Sequence, residues 1–301
     1  MKDNNPNSFT CIRTKHRNNY LHNGRALLIA ISSLLPFNLF AAQVIPVDSL
    51  NSAPIIDGNF ADWSTIQAVT VPLHKTSAEH ISDVPSVSVK AAIYQDSIYI
   101  YFSWQDTTES NEHKPFIWNE QQGRYLNSNR YEDRLAIQFE MSGDYTTNWL
   151  SGNSFIADTW HWKAFRSNSI GLAHDKITII SDKKLLRSYP AQSEKGTPLY
   201  IKRSDDAGDR LYKSVRYRQR EQDKMPKYEL MPSAQGSIAD VKAQGQWQDD
   251  HWQLEMTRKL NTHHEDDVVF TAGMKIKAGI AVFDATGDQD HVISDTLIFQ
   301  F

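Results

Sequence analysis

Cysteine is nearly absent from the chain: one residue in 301, Cys11, and it falls in an N-terminal stretch read here as removed on maturation. The mature chain would then have none. That excludes disulfides, thiolate zinc sites and iron–sulfur clusters, and leaves His, Met, Lys, Tyr and carboxylates to hold any metal. Long apolar runs are also scarce. The one candidate, Ala26–Ile31 continuing through Leu34-Leu35 to Phe40-Ala41-Ala42, is interrupted by Ser32, Ser33, Pro36 and Asn38. It is too short for a comfortable membrane span. No G-x-S-x-G, H-E-x-x-H or P-loop pattern occurs, no long amphipathic helix is apparent, and there is no internal repeat.

What the N-terminus does carry is Lys2, Arg13, Lys15, Arg17 and Arg25 against a single acid, Asp3, ahead of that apolar run. A basic region, a short apolar core and small residues at its end define a secretory signal peptide over residues 1–42, with a retained signal anchor as the alternative. Cleavage near Ala41 or Ala42 leaves residues 43–301, enough for one large β domain. Losing five cations and one acid moves the formal charge from −4 to −8. That balance excludes nucleic acid as a partner.

From Val44 onward the pattern is β. Pro54–Trp63 reads as a strand entering an Asp57-Gly58 turn, with Trp63 plugging one end of a core. Val87–Tyr94 and Ser97–Trp104 are strands joined by a Gln95-Asp96 hairpin turn. Ile98, Ile100, Phe102 and Trp104 share one face of the second strand, and Tyr99 and Tyr101 take the other. Arg134–Met141, Ile177–Ile180, Trp252–Thr257, Val268–Phe270, Ala278–Asp284 and Val292–Phe299 continue the series. Residues 105–130 read as an excursion loop. Residues 182–240, charged and with Pro190, Pro198, Pro226 and Pro232, read as a long insertion too poor in apolar residues for its own core. The predicted fold is all-β: an antiparallel sandwich of roughly ten strands, in a single domain with that irregular insertion.

The most distinctive stretch is Asp158-Thr159-Trp160-His161-Trp162-Lys163-Ala164-Phe165-Arg166. Aromatic faces, an imidazole and two cations suit a flat, apolar, anionic ligand; a half-buried strand with core tryptophans is the plainer reading. His263-His264-Glu265-Asp266-Asp267 has a metal-binding composition. Adjacent strand residues point oppositely, however, and the run reads as a loop.

With the strands in place, several pieces resemble one family in the same order. Pro54–Trp63 is similar to the P-x-x-D-G-x-x-x-x-W opening shared by the family-9 carbohydrate-binding fold and its haem-binding relatives. Glu132–Ile137, Asp158–Arg166, Gly171–Asp175, Trp252–Leu260 with Arg258, Asp266–Val268, Gly279–Asp284 and His291–Ser294 resemble the ethylbenzene-dehydrogenase-type haem-binding domain. The resemblance spans most of residues 54–301 and is poor over 182–240. It implies a β-sandwich holding one haem, as in the haem b subunits of periplasmic molybdenum enzymes. The missing cysteines exclude covalent attachment, so the implied cofactor is a non-covalent haem b. In the b-type subunits the iron ligands are a methionine before the W-H-W-K-A block and a lysine near the C-terminus. At the second position, where c-type relatives carry His, this chain has His291. The methionine element reads Leu150-Ser151-Gly152-Asn153 here, with Ser151 about where methionine would stand. Met141, followed by His161, is the nearest substitute. Lys163 and Arg166 are then expected to pair with haem propionates. Trp160 and Trp162 are read as facing opposite ways, one toward the pocket and one in outer packing.

The implied function is periplasmic electron transfer, to or from a molybdenum oxidoreductase subunit or a membrane cytochrome, without catalysis by this chain alone. A family-9-type carbohydrate-binding module is the rival, with tryptophans stacking on sugars. A haem-free interaction protein of the same fold is the third reading.

Overall fold

Period-two alternation, with one apolar face and one mixed face, builds the computed structural model, which describes residues 42–301. The expected signal segment lies outside them apart from Ala42. Among the described residues no helix is long and apolar enough to cross a membrane.

β1 (Val44–Ser49) leads through a single 3-10 turn at Phe60–Trp63 to β2 (Val69–Pro72) and β3 (His74–Lys75). β4 (Ser86–Tyr94) and β5 (Ser97–Gln105) form the expected hairpin, with Gln95 taking the left-handed conformation, φ 53°, that a two-residue turn demands. The 105–130 excursion contains its own hairpin, β6 (Phe116–Asn119) and β7 (Arg124–Asn127). β8 (Arg134–Gly143), β9 (Phe155–Lys163) and β10 (His174–Ser181) follow as antiparallel neighbours.

Residues 182–240 are more ordered than their composition suggested. β11 (Tyr189–Gln192) and β12 (Pro198–Asp205) extend the same sheet beyond β10. β13 (Tyr212–Ser214), β14 (Lys224–Met225) and β15 (Tyr228–Leu230) are short, with β13 pairing β15 and β14 pairing β6. Leu211, Ile238 and Ala239 bury themselves against Leu172 rather than in a separate core. The chain closes with β16 (Lys242–Gln248), β17 (His251–Lys259), β18 (Lys275–Phe283), β19 (Val292–Ile293) and β20 (Leu297–Gln300). Val268–Phe270, expected as a strand, pairs in no sheet. Its Val268 N–H donates to the Asp158 carboxylate at 3.0 Å.

One sheet runs β11-β12-β10-β9-β8-β18-β20-β1, and the other runs β1-β4-β5-β17-β16. β1 belongs to both. Val44–Pro46 pair with β20 and Val47–Ser49 with β4, both in parallel. Between the sheets lies the main core, where Ile98, Ile100, Phe102 and Trp104 meet Leu135, Ile137 and Phe139.

Trp160 and Trp162 both enter this core, which corrects the expectation that they face opposite ways. Residues two apart share a strand face. Trp162 packs edge-on to Trp104 and Trp252 at 6.0 and 4.9 Å, contacts worth about 0.5–1.5 kcal/mol each beyond burial. Gly245 is there because a Cβ would fall 2.5 Å from Trp162 Cζ2. Trp63 plugs a separate cluster with Ile66, Ala92 and Tyr101. It is tied down by Glu255, a fully buried carboxylate that accepts from Trp63 Nε1 at 2.7 Å and from the Asp57 and Gly58 N–H groups at 2.9 and 2.7 Å.

Candidate functional site

Alternation that sends tryptophans inward sends their neighbours outward. On the outer face of the first sheet, β8 presents Ala136 and Gln138, β9 presents Thr159 and His161, and β18 presents Gly279, Ala281 and Phe283. The small residues create depth there. Side chains on β10 and β12, the 145–150 loop and the 288–291 turn complete a cavity of about 800 Å³. That is within the usual range for a cofactor site, about 300–1,000 Å³. The loop lies close against the sheet at Gly279, where an added Cβ would come within 2.3 Å of Thr147 and 2.6 Å of the Tyr145 hydroxyl. An outer apolar cluster of Tyr145, Phe155, Ile180 and Leu199, with Trp149 packed on it, closes one end.

The floor is polar but internally satisfied. Gln138 Nε2 donates to the Thr159 and Thr178 hydroxyls at 3.0 and 3.1 Å, and these hydroxyls lie 3.0 Å apart.

Three histidines line the cavity: His74, His161 and His291. His161 is 4 % exposed, its Nε2 is buried without a partner, and its ring stacks on Phe283 at 5.6 Å. His291 touches the same phenyl ring at 4.9 Å, and its Nδ1 is likewise buried without a partner. Burial, and then the nearby His80 and Arg134, push His291 down to about 4. Burial and then Lys163 and Arg134 hold His161 well below the ordinary histidine range. Both imidazoles are therefore neutral near pH 7, the form that binds metals. No ring contact joins the two histidines directly; Phe283 separates them.

The turn carrying His291 is built rather than loose. Arg134, 1 % exposed, donates to the Thr286 carbonyl at 2.7 Å, pairs with Asp288 and lies over Phe283 at 4.2 Å. Asp290 accepts from the Ile81 and Ser82 N–H groups at 3.0 and 3.1 Å.

The other sequence-derived residues are placed differently. Met141 sits at the β8 bulge and packs against the inner core, outside the cavity lining. Leu150, not Ser151, reaches the cavity from the loop where a methionine was sought. Lys163 is buried at 3 % exposure, with Nζ 2.8 Å from His174 Nδ1. Burial and the charges of Arg166 and Lys176 hold its pKa well below the lysine norm. Arg166 is committed to Glu132, whose carboxylate also accepts from the Phe165 and Arg166 N–H groups at 2.7 and 2.8 Å. Neither cation lines the cavity. Lys75, Lys176 and Arg203 do, and sequence reasoning passed over all three. Arg203 lies in the stretch read as an insertion; the apolar alternation of Leu199 and Ile201 just before it was the available signal.

The donor set fits a haem. The cavity wall carries two neutral imidazoles, each with one buried nitrogen lacking a protein partner, aromatic and aliphatic side chains, and the cations Arg203 and Lys176, the latter also paired with Asp205. His291 would hold the iron and Arg203 a propionate, with Lys176 shared between Asp205 and the second propionate.

These features define a β-sandwich with a cofactor-sized pocket on the outer face of one sheet. The family model described as "Ethylbenzene dehydrogenase" matches residues 61–294, and the chain belongs to that family. No curated protein matches it. Among solved structures, it is similar to a family-9 carbohydrate-binding module from Caldicellulosiruptor kristjanssonii in complex with glucose, at 11% identity and TM-score 0.38 over 85% of each chain. The same module in complex with cellotriose gives 12% and 0.37, covering 85% of this chain and 84% of that one. A protein from Bacteroides uniformis described as carbohydrate-binding gives 9% and 0.41 over 85% and 91%.

Proposed function

We propose that the mature chain is an exported, periplasmic protein that binds one non-covalent haem b in the outer-face cavity and passes electrons. Its partner is a molybdenum oxidoreductase subunit or a membrane cytochrome. Bound haem supplies the one-electron chemistry; the protein supplies a ligand, an aromatic surface and a fixed orientation. The observation that carries the reading is His291, a neutral imidazole whose Nδ1 has no hydrogen-bond partner, at the wall of a cavity of about 800 Å³.

In this reading Phe283 and His161 form the surface behind the ligand, and Arg134 fixes both Phe283 and the His291 turn. Lys176 and Arg203 orient the propionates at the β10–β12 side. Met141, on the opposite sheet face, is dropped as a ligand, which leaves His161 as the second candidate once the Phe283 ring moves aside. Lys163 and Arg166 support the wall from behind rather than touching the cofactor.

The test is a reduced-minus-oxidised absorption spectrum of protein exported to the periplasm, with haem titration of any apoprotein. Sharp α and β bands, lost or shifted to a high-spin form in His291→Ala, are expected. A colourless protein that takes up no haem, yet is retained on a polysaccharide column, would overturn the reading in favour of a carbohydrate-binding module.

A further inference from the structure

Charge is unevenly shared along the chain. Residues 110–130 and 210–230 carry ten lysines and arginines against five acids, within a mature chain of formal charge −8. The fold gathers the two segments into one lobe. β14 pairs with β6, β13 pairs with β15, and the Tyr217 ring meets Phe116 at 6.0 Å and Tyr125 at 5.8 Å. Arg130, Lys213, Arg220 and Lys224 have carboxylate partners. Lys114, Arg124, Arg210, Arg216, Arg218 and Lys227 have none within 4.0 Å among the described residues. Arg216 and Arg218 are exposed, and the neighbouring Val215 N–H donates to the Lys227 carbonyl at 2.9 Å, which sets Lys227 beside them.

The inner end of the lobe is crowded with like charge. Lys114, at a left-handed φ of 48°, holds Nζ over the Tyr131 ring at 4.8 Å, and Lys227 holds its own over Tyr228 at 5.9 Å. Burial, and then the charges of Lys114 and Arg166, lower the Lys227 pKa. Unpaired like charges held together work against the compact state, and a counter-charge from outside the chain relieves them. Position matters as well. Tyr131 lies 3.8 Å from where Gly287 would carry a Cβ, in the turn that brings Asp288, Gln289 and His291 to the cavity. The lobe therefore adjoins the cavity wall.

We propose that this lobe is the docking face for a protein partner with an acidic surface, and that Arg216, Arg218 and Lys227 are its main contacts. That this partner is the redox partner rests on the haem reading; the docking face itself does not. Complementary charge steers two proteins together and fixes their register, and guanidinium forks match carboxylates. A lipid surface fits less well. The rings of Trp118, Tyr125 and Tyr217 are half-buried against one another, and Ile117, 37 % exposed, is the one large aliphatic side chain the lobe exposes. Glu120, Glu221 and Asp223 stand exposed among the cations. Interspersed acids are repelled by a uniformly anionic membrane and suit a protein face of mixed charge. A protein docked here also lies beside the cavity, where a carried electron has to leave.

The test uses the whole mature protein and a labelled poly-glutamate peptide of about 20 residues, followed by fluorescence anisotropy. Binding is expected, and it should weaken about tenfold between about 50 and about 200 mM salt. The triple variant Arg216→Gln, Arg218→Gln, Lys227→Gln should weaken it about tenfold at fixed salt. The same charge removed from exposed positions elsewhere, as Lys183→Gln, Lys184→Gln, Lys195→Gln, should change it by less than about twofold. His291→Ala should bind the peptide as the wild type does, which separates docking from haem uptake. Absence of peptide binding in the wild type, undiminished binding in the lobe variant, or an equal loss in the control variant overturns the proposal. So does tighter binding to phosphatidylglycerol vesicles that depends on the same three residues, which would make the lobe a lipid-binding face. Peptide binding by a protein that takes up no haem supports the docking face and refutes the electron-transfer reading.

Discussion

Replacing Glu132 with glutamine tests how the wall behind the pocket is held. Glu132 is fully buried and accepts from two backbone N–H groups and from the Arg166 guanidinium, with His113 Nδ1 3.2 Å away. Arg166 in turn lies over Tyr212 and Tyr228 at 5.1 and 5.3 Å, with no other carboxylate partner among the described residues. Burial alone would raise the Glu132 pKa. The His113 contact and the Arg166 charge outweigh it and bring the carboxyl from 4.5 to about 2. That difference is worth about 3 kcal/mol of folding stability. The general cost of breaking a buried pair, about 3–5 kcal/mol, agrees with it. Because the folded carboxyl titrates below the unfolded one, the stabilisation is complete above the unfolded value. It is lost as pH falls toward about 2. Guanidinium unfolding at pH 7 should show Glu132→Gln destabilised by about 3 kcal/mol, with a flatter loss of stability between about pH 5 and pH 2. The double variant with Arg166→Met should cost less than the sum of the single changes, because no orphan cation remains. A cost below about 1 kcal/mol, or strict additivity, would refute the reasoning.

Two further outcomes follow from contacts described above. Gly245→Ala forces a methyl to within 2.5 Å of Trp162, and should lower stability by about 1–3 kcal/mol in denaturant titration, with a change in tryptophan emission. Arg203→Ala and Lys176→Ala should each weaken haem uptake by about fivefold in a Soret titration, whereas Arg166→Met should leave uptake unchanged and alter stability alone.

The sandwich was legible because its strands alternate cleanly. Ile98 to Trp104 and Leu135 to Phe139 pointed inward as the period required, and the Gln95-Asp96 turn set the register of the hairpin. The facing of Trp160 and Trp162 was legible too and was misread: the same period makes them one face and His161 the other. Arg166 looked free because its partner, Glu132, comes from 34 residues earlier and pairing at that distance leaves no local trace. Arg203 and His74 were invisible for another reason. Each sits on a strand too short or too polar to register as one, and only sheet pairing turns it toward the cavity.

The strand shared by both sheets has a consequence for how the protein is made. Among the described residues β1 is the first strand and β20 the last, yet Val44 pairs with Ile298. An emerging chain must therefore keep β1 unpaired on one side until Ile298 has appeared, some 250 residues later. Closure of the sandwich is a late event with a high loop-closure cost, which places the molecule among slow-folding, non-local topologies. During that wait β1 exposes a free edge, the kind of edge that recruits other chains. The protein's most vulnerable moment thus falls before β20 arrives.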